Sequence, residues 1–210
     1  MPPHPALPTR RTVTAALVAL PVVWTSARAQ AINRRRATPA QTEGPYYPVA
    51  VPPDSDPDLL RNGALPAYGA GEPIWLEGTV TDLQGQPVRG AQVEIWQCDE
   101  AGHYHHPGDG NRADPAFQGF GRVAVGPDGG YRFRTIKPVP YTGRTPHIHV
   151  KVRLARRELL TTQLYVAGEP GNERDFLWRQ LPPQDRAALT REFQPGPDGL
   201  HVNFPLIVTG

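Results

Sequence analysis

The chain is almost without cysteine. Cys98 is the only one in 210 residues, so no intrachain disulfide can form. If the protein is exported, a good-sized core or a metal must hold the fold instead. An excess of either charge is also lacking. Residues 1–29 contain three arginines and no acid, and without them 19 basic residues face 20 acidic ones. That balance leaves no case for a nucleic-acid partner. The one remaining basic cluster, Arg34-Arg35-Arg36, reads as a solvated tail. Internal repeats and low-complexity tracts are absent. Only one long uncharged run occurs, Thr12 to Ala27, and it is too short to serve comfortably as a membrane anchor. Arg10 and Arg11 precede it and an Ala-Arg-Ala ending at Ala29 follows it, the layout of a secretory signal over residues 1–29. The arginine pair fits the twin-arginine route. The expectation is an exported protein, periplasmic or secreted, with no transmembrane anchor after processing.

Turn formers are plentiful, with 21 glycines and 26 prolines. β-Branched and aromatic residues are plentiful too, which predicts short strands joined by turns rather than disorder. Residues 30–73 read as an extended arm lying against a domain that occupies residues 74–210. Alternation predicts strands at Ile74–Asp82 and Ala91–Cys98, with Val93 and Ile95 facing one way. Gly121–Val125 and Tyr131–Ile136 flank GPDGG, a hairpin signal. His147–Arg153 and Leu159–Val166 predict a second hairpin, and His201–Val208 a last strand. Pro183–Phe193 is the one convincing helix, with proline near its start. The expected fold is mainly β: an antiparallel β-sandwich with an extended N-terminal arm and one short C-terminal helix.

Five of the seven histidines fall between His103 and His149. His147 and His149, at i and i+2 on a strand, point to the same side. Taken alone, such a pair is more often a wet sheet face than a metal site. Tyr104 and Tyr141 lie in the same region of the chain. With no cysteine cluster, thiolate zinc is excluded. Imidazoles with hard phenolate oxygens suit iron in its ferric state, because a trivalent ion holds a phenol deprotonated at neutral pH. If Tyr104 and Tyr141 meet His147 and His149, the expected site is non-haem Fe(III). A ferrous site of two histidines and one carboxylate, Asp109 or Asp114, is an alternative, although both aspartates read more naturally as turn formers. A plain β-sandwich binding module is another.

The segments VEIWQ, GHYHHPGD, DPAFQGFGR, GGYRFRTIKPVPY and GRTPHIHVKV, in this order, resemble the intradiol ring-cleavage dioxygenases, nearest the protocatechuate 3,4-dioxygenase branch. TPAQTEGPYY is similar to the N-terminal arm that reaches into the active site in that branch. The likeness runs over roughly residues 40–208. It implies Tyr104, Tyr141, His147 and His149 as ligands of ferric iron. Tyr141 would be the phenolate that substrate displaces, with His147 opposite it. Arg144 and Gln163 are implied as catalytic: Arg144 stabilises negative charge on the ring, and Gln163 is a polar group on an otherwise apolar strand. Gly44, Pro45 and Tyr46 are implied as substrate-facing. The implied partners are a catechol-type aromatic and O2, with the arm available to pack against a second copy of the chain. The implied product is a cis,cis-muconate-type diacid from cleavage between the two hydroxylated carbons. A family member that binds iron or catechols without turnover is the alternative. The connection from Tyr141 to His147 is only TGRTP, shorter than the family's, which leaves the identity of the catechol open.

Overall fold

The computed structural model describes Met1 and residues 35–209. The leader read at residues 1–29 lies outside the described stretch. Asn33–Gly210 forms one compact unit. Residues 35–72 contain no helix and no strand beyond an isolated bridge, Asp58 to Arg134. Among the described residues no helix is long and apolar enough to cross a membrane.

Ten strands follow: β1 Pro73–Thr81, β2 Ala91–Trp96, β3 Phe120–Ala124, β4 Gly130–Ile136, β5 His147–Leu154, β6 Arg157–Val166, β7 Thr190–Arg191, β8 Gln194–Gly196, β9 Gly199–Asn203 and β10 Leu206–Ile207. Two short helices, α1 Phe176–Gln180 and α2 Pro183–Leu189, sit between β6 and β7. One sheet has the order β10-β1-β9-β8, with β4 on β1; the other has the order β3-β2-β5-β6-β7. The β-sandwich is therefore present, and its sheets are mixed: β9 and β10 run parallel to β1, and β7 parallel to β6. Two further points differ from the expectation. The helix beginning at Pro183 stops at Leu189, where Thr190 turns extended to pair with Tyr165. A second helix precedes it, started by the Asp175 side chain, which accepts from the N–H groups of Leu177 and Trp178.

Alternation decides what faces inward. Ile74, Leu76 and Val80 of β1, Val93 and Ile95 of β2, and Ile148, Val150 and Val152 of β5 are fully or almost fully buried in one core between the sheets. Each such side chain contributes about 1.5–3 kcal/mol by leaving water. The hairpin of β5 and β6 is present, turning through Ala155 in the left-handed region (φ 52°). GPDGG also turns tightly, with the Gly126 N–H donating to Gly130 O. Yet β3 pairs with β2 while β4 pairs with β1, so the two flanking strands enter opposite sheets. The turn sets a chain reversal; pairing partners elsewhere in the chain decide which sheet each strand joins.

Candidate metal centre and substrate pocket

The β5 residues that do not enter the core, His147, His149 and Lys151, share the opposite face, which the arm covers. Register adds neighbours on that face. Trp96 of β2 lies opposite His149 and stacks on its ring, with centroids 4.7 Å apart and planes 8° apart. Gln163 of β6 lies opposite His149 on the other side. Two loops bring the phenols. Tyr104 follows a turn held by Asp99, and its own N–H donates to Asp109 Oδ2 at 2.8 Å. Tyr141 closes the segment after β4 and bridges to Arg144.

The four side chains converge. His147 Nε2 and His149 Nε2 are 3.2 Å apart. Ring centroids are separated by 5.1 Å for Tyr104 and Tyr141, 5.4 Å for Tyr141 and His147, and 6.2 Å for Tyr104 and His149. His147 Nδ1 lies 2.6 Å from Thr145 O and so carries the proton, leaving a lone pair on Nε2 aimed at the cluster. Burial, reinforced by Arg144, pulls His147 down to about 3. Burial and the adjoining His147 hold His149 well below the ordinary imidazole range. Both rings are thus neutral, the form that ligates metal. Burial raises both phenols, Tyr104 strongly. Among the described residues, Tyr104 Oη and His149 Nδ1 find no hydrogen-bond partner and are buried.

Exposure separates the two phenols. Tyr104 is 2 % exposed, whereas Tyr141 is half-buried and lines an adjoining pocket of about 560 Å³. Gly44, Pro45 and Tyr46 form the arm side of that pocket, and Arg144, Phe176 and Leu177 form the far side. Gly44 lies in the left-handed region (φ 75°), and a Cβ there would stand 3.3 Å from His149 Cε1. Only glycine lets the arm come so close. Tyr46 stacks on Tyr104 with centroids 4.7 Å apart. Arg144 Nε donates to Asp175 Oδ2 and its Nη2 to Gln163 Oε1, each at 2.7 Å. Burial opposes the guanidinium charge, but the Asp175 carboxylate outweighs it and raises the Arg144 pKa. Gln163 is fully buried and holds the arm as well, its Nε2 donating to Thr42 O.

The other clustered histidines do not join. His105 is bonded to Phe117 O, His106 accepts the Gly108 N–H, and His103 lies 3.6 Å from Asp109. Asp109 and Asp114 are occupied in turns, Asp114 Oδ1 accepting from the Ala116 N–H. Among the described residues no three His, Cys, Asp or Glu side chains are grouped to hold a metal, so the carboxylate alternative lacks its third ligand. Cys98 is buried, and burial pushes its thiol up to about 12. Asp175, Trp96 and Phe176 are site residues that motif reasoning did not name. An aspartate before an incipient helix in ERDFLW was the available signal for the first of them.

A two-sheet sandwich thus sets two phenols and two imidazoles beside a pocket that the arm lines. A family model described as Dioxygenase matches residues 42–205. Hydroxyquinol 1,2-dioxygenase of Nocardioides simplex is 32% identical over 181 residues, covering 78% of this chain and 57% of that protein. The protocatechuate 3,4-dioxygenase beta chain of Burkholderia cepacia is 36% identical over 163 residues, covering 70% and 68%. Among solved structures, the dioxygenase domain of a dioxygenase–carbohydrate-binding fusion from Streptomyces sp. SirexAA-E superposes with a TM-score of 0.63 at 35% identity, covering 83% of this chain and 99% of that one. The chain belongs to the intradiol dioxygenase family. It spans about half the length of the hydroxyquinol dioxygenases it matches, 48–59%.

Proposed function

We propose that the protein is a non-haem Fe(III) dioxygenase that takes a catechol-type aromatic and O2 and cleaves the ring between the two hydroxylated carbons. The observation that supports this reading is the meeting of Tyr104, Tyr141, His147 and His149. The donor set fits the ion: two neutral imidazoles present Nε2, and the oxygen of a buried phenol, Tyr104, has no hydrogen-bond partner among the described residues. Ferric iron bound to these four side chains supplies Lewis acidity, a template for the catechol oxygens, and an oxidised centre that keeps the phenols ionised.

The protein's own groups divide the remaining work. Tyr104 is sealed in and stays a permanent anchor. Tyr141 reaches the pocket and is the group placed to accept a substrate hydroxyl proton at its Oη. Arg144, ion-paired and buried on the pocket wall, presents fixed positive charge toward the ring and stabilises negative charge developing there. The arm, through Gly44, Pro45 and Tyr46, covers the ring and excludes water.

Incubating iron-loaded protein with a panel of catechols and identifying the products tests the reading. A cis,cis-muconate-type diacid is expected, together with a visible phenolate-to-iron absorption that shifts when a catechol binds. Cleavage beside the hydroxyls, or a colourless iron-loaded protein, refutes it.

A further inference from the structure

The pocket beside Tyr141 distinguishes among catechols. A ring whose oxygens point to the Tyr/His cluster would place its far edge among the arm and α1 residues that line the pocket with Tyr141. Pro45 and Tyr46 of the arm and Phe176 and Leu177 of α1 line the pocket there. Phe176 is 56% exposed. It contributes nothing to the core, and of the exposed large apolar side chains it alone lines this pocket.

The cation on the same wall is already held by a carboxylate of its own. Among the described residues Arg144 is the one ionised side chain lining the pocket, and it is ion-paired with Asp175, which is fully buried. Nε and Nη2 are already donated to Asp175 and Gln163. Arg179 of α1 does not line this pocket; with Gln180 it lines a neighbouring surface depression that shares Phe176. A carboxylate on the substrate would therefore lose water against Pro45 and Phe176 without gaining an unpaired cation, an unfavourable exchange. An alkyl group in the same place gains, since one methylene in an apolar site changes kcat/KM by ~10–200-fold.

We infer that this pocket selects catechols carrying an uncharged apolar substituent over carboxylated ones, with Phe176 and Leu177 as the specificity wall. The inference rests on the catechol-binding reading above and parts from the 36%-identical relative, whose name gives it a carboxylated substrate.

The test measures kcat/KM and, by titration of the iron-loaded protein, Kd for 4-methylcatechol, 4-tert-butylcatechol and 3,4-dihydroxybenzoate. Expected is a preference of tenfold or more for 4-tert-butylcatechol over 3,4-dihydroxybenzoate in both quantities. Phe176→Ala should shrink the gap between the tert-butyl and methyl compounds by about fivefold. Phe176→Arg should raise 3,4-dihydroxybenzoate relative to 4-methylcatechol by about tenfold, an advantage lost at high salt. Because Phe176 is exposed, neither change threatens folding. Equal or better use of 3,4-dihydroxybenzoate overturns the inference, as does a ranking that neither variant moves. Ranked binding without any ring cleavage refutes the dioxygenase reading and upholds the inference.

Discussion

Asp175 accepts four hydrogen bonds: from Arg144 Nε, and from the N–H groups of Thr145, Leu177 and Trp178. Burial alone would raise its pKa, but the Trp178 and Thr145 N–H groups and Arg144 hold it below the usual carboxylate range. One side chain therefore both holds the Arg144 guanidinium and starts the helix that forms the pocket wall. In Asp175→Asn the amide NH2 must face either the Arg144 donor or the helix N–H groups, so donor meets donor. We expect kcat to fall by about 10²-fold, the effect of a misplacement near 1 Å. Stability should drop by ~3–5 kcal/mol, as for a buried pair robbed of one partner. The sign with pH follows from the lowered pKa. The stabilisation is full above the unfolded value and is lost as pH falls through the folded one. Urea midpoints between pH 6 and pH 2 should show that acid-side loss in the parent and lack it in Asp175→Asn. The four clustered side chains and Arg144 were legible because local motifs surround each of them. Asp175 was not, because its partner Arg144 lies 31 residues away and a helix-start signal says nothing about what else the carboxylate holds.

The arm is seated on the second sheet by charge as much as by backbone bonds. Lys151, two residues past His149 on the same face, is 3% exposed. It pairs with Glu43 of the arm and with Glu158 at 3.2 Å, and its Nζ lies 4.0 Å from the Tyr47 ring. Tyr47 donates to buried Glu94 at 2.8 Å. Glu43 and Tyr47 thus bracket Gly44, Pro45 and Tyr46. Removing the cation should loosen the pocket-lining arm segment while leaving the Tyr/His cluster intact. Lys151→Met is expected to raise KM about tenfold, the ~1.4 kcal/mol of a coupled buried pair, with a much smaller change in kcat. Glu43→Gln should add little on top of it, and the iron absorption band should not move. Equal losses in kcat, or full additivity, would argue for a merely structural lysine. Strand positions were readable from alternation, because period two is a local property. Which sheet each strand joins was not, as β3 and β4 show: a five-residue turn leaves both pairings open, and β1 claims β4 through seven register pairs from Pro73–Ile136 to Thr79–Gly130.

Across the molecule, strands far apart in sequence close the sandwich. β1 takes β9 through Ile74 and Leu200, and β10 through Val80 and Leu206. No local pattern encodes a parallel pairing over such a separation, so the mixed sheets could not be read in advance, whereas the two-layer class could. A fold with no disulfide and a buried cluster of metal-ready groups should draw stability from the ferric ion proposed above. At a hundred times Kd the gain is about 2.7 kcal/mol, and ~1 kcal/mol moves the melting temperature of a chain this size by about 2–4 °C. Chelation should thus lower Tm by roughly 5–11 °C. Tyr104→Phe separates this from a general effect of mutation. Its hydroxyl is buried without a partner among the described residues, a state costing ~1–3 kcal/mol, so in iron-free protein the phenylalanine variant should melt at or above the parent. With iron added the order should reverse, because the parent gains a ligand oxygen that the variant lacks. Calorimetry of both proteins with and without ferric iron reads that crossing directly. A Tyr104→Phe protein that melts below the parent by the same margin in both states would mean that the hydroxyl serves packing rather than the metal.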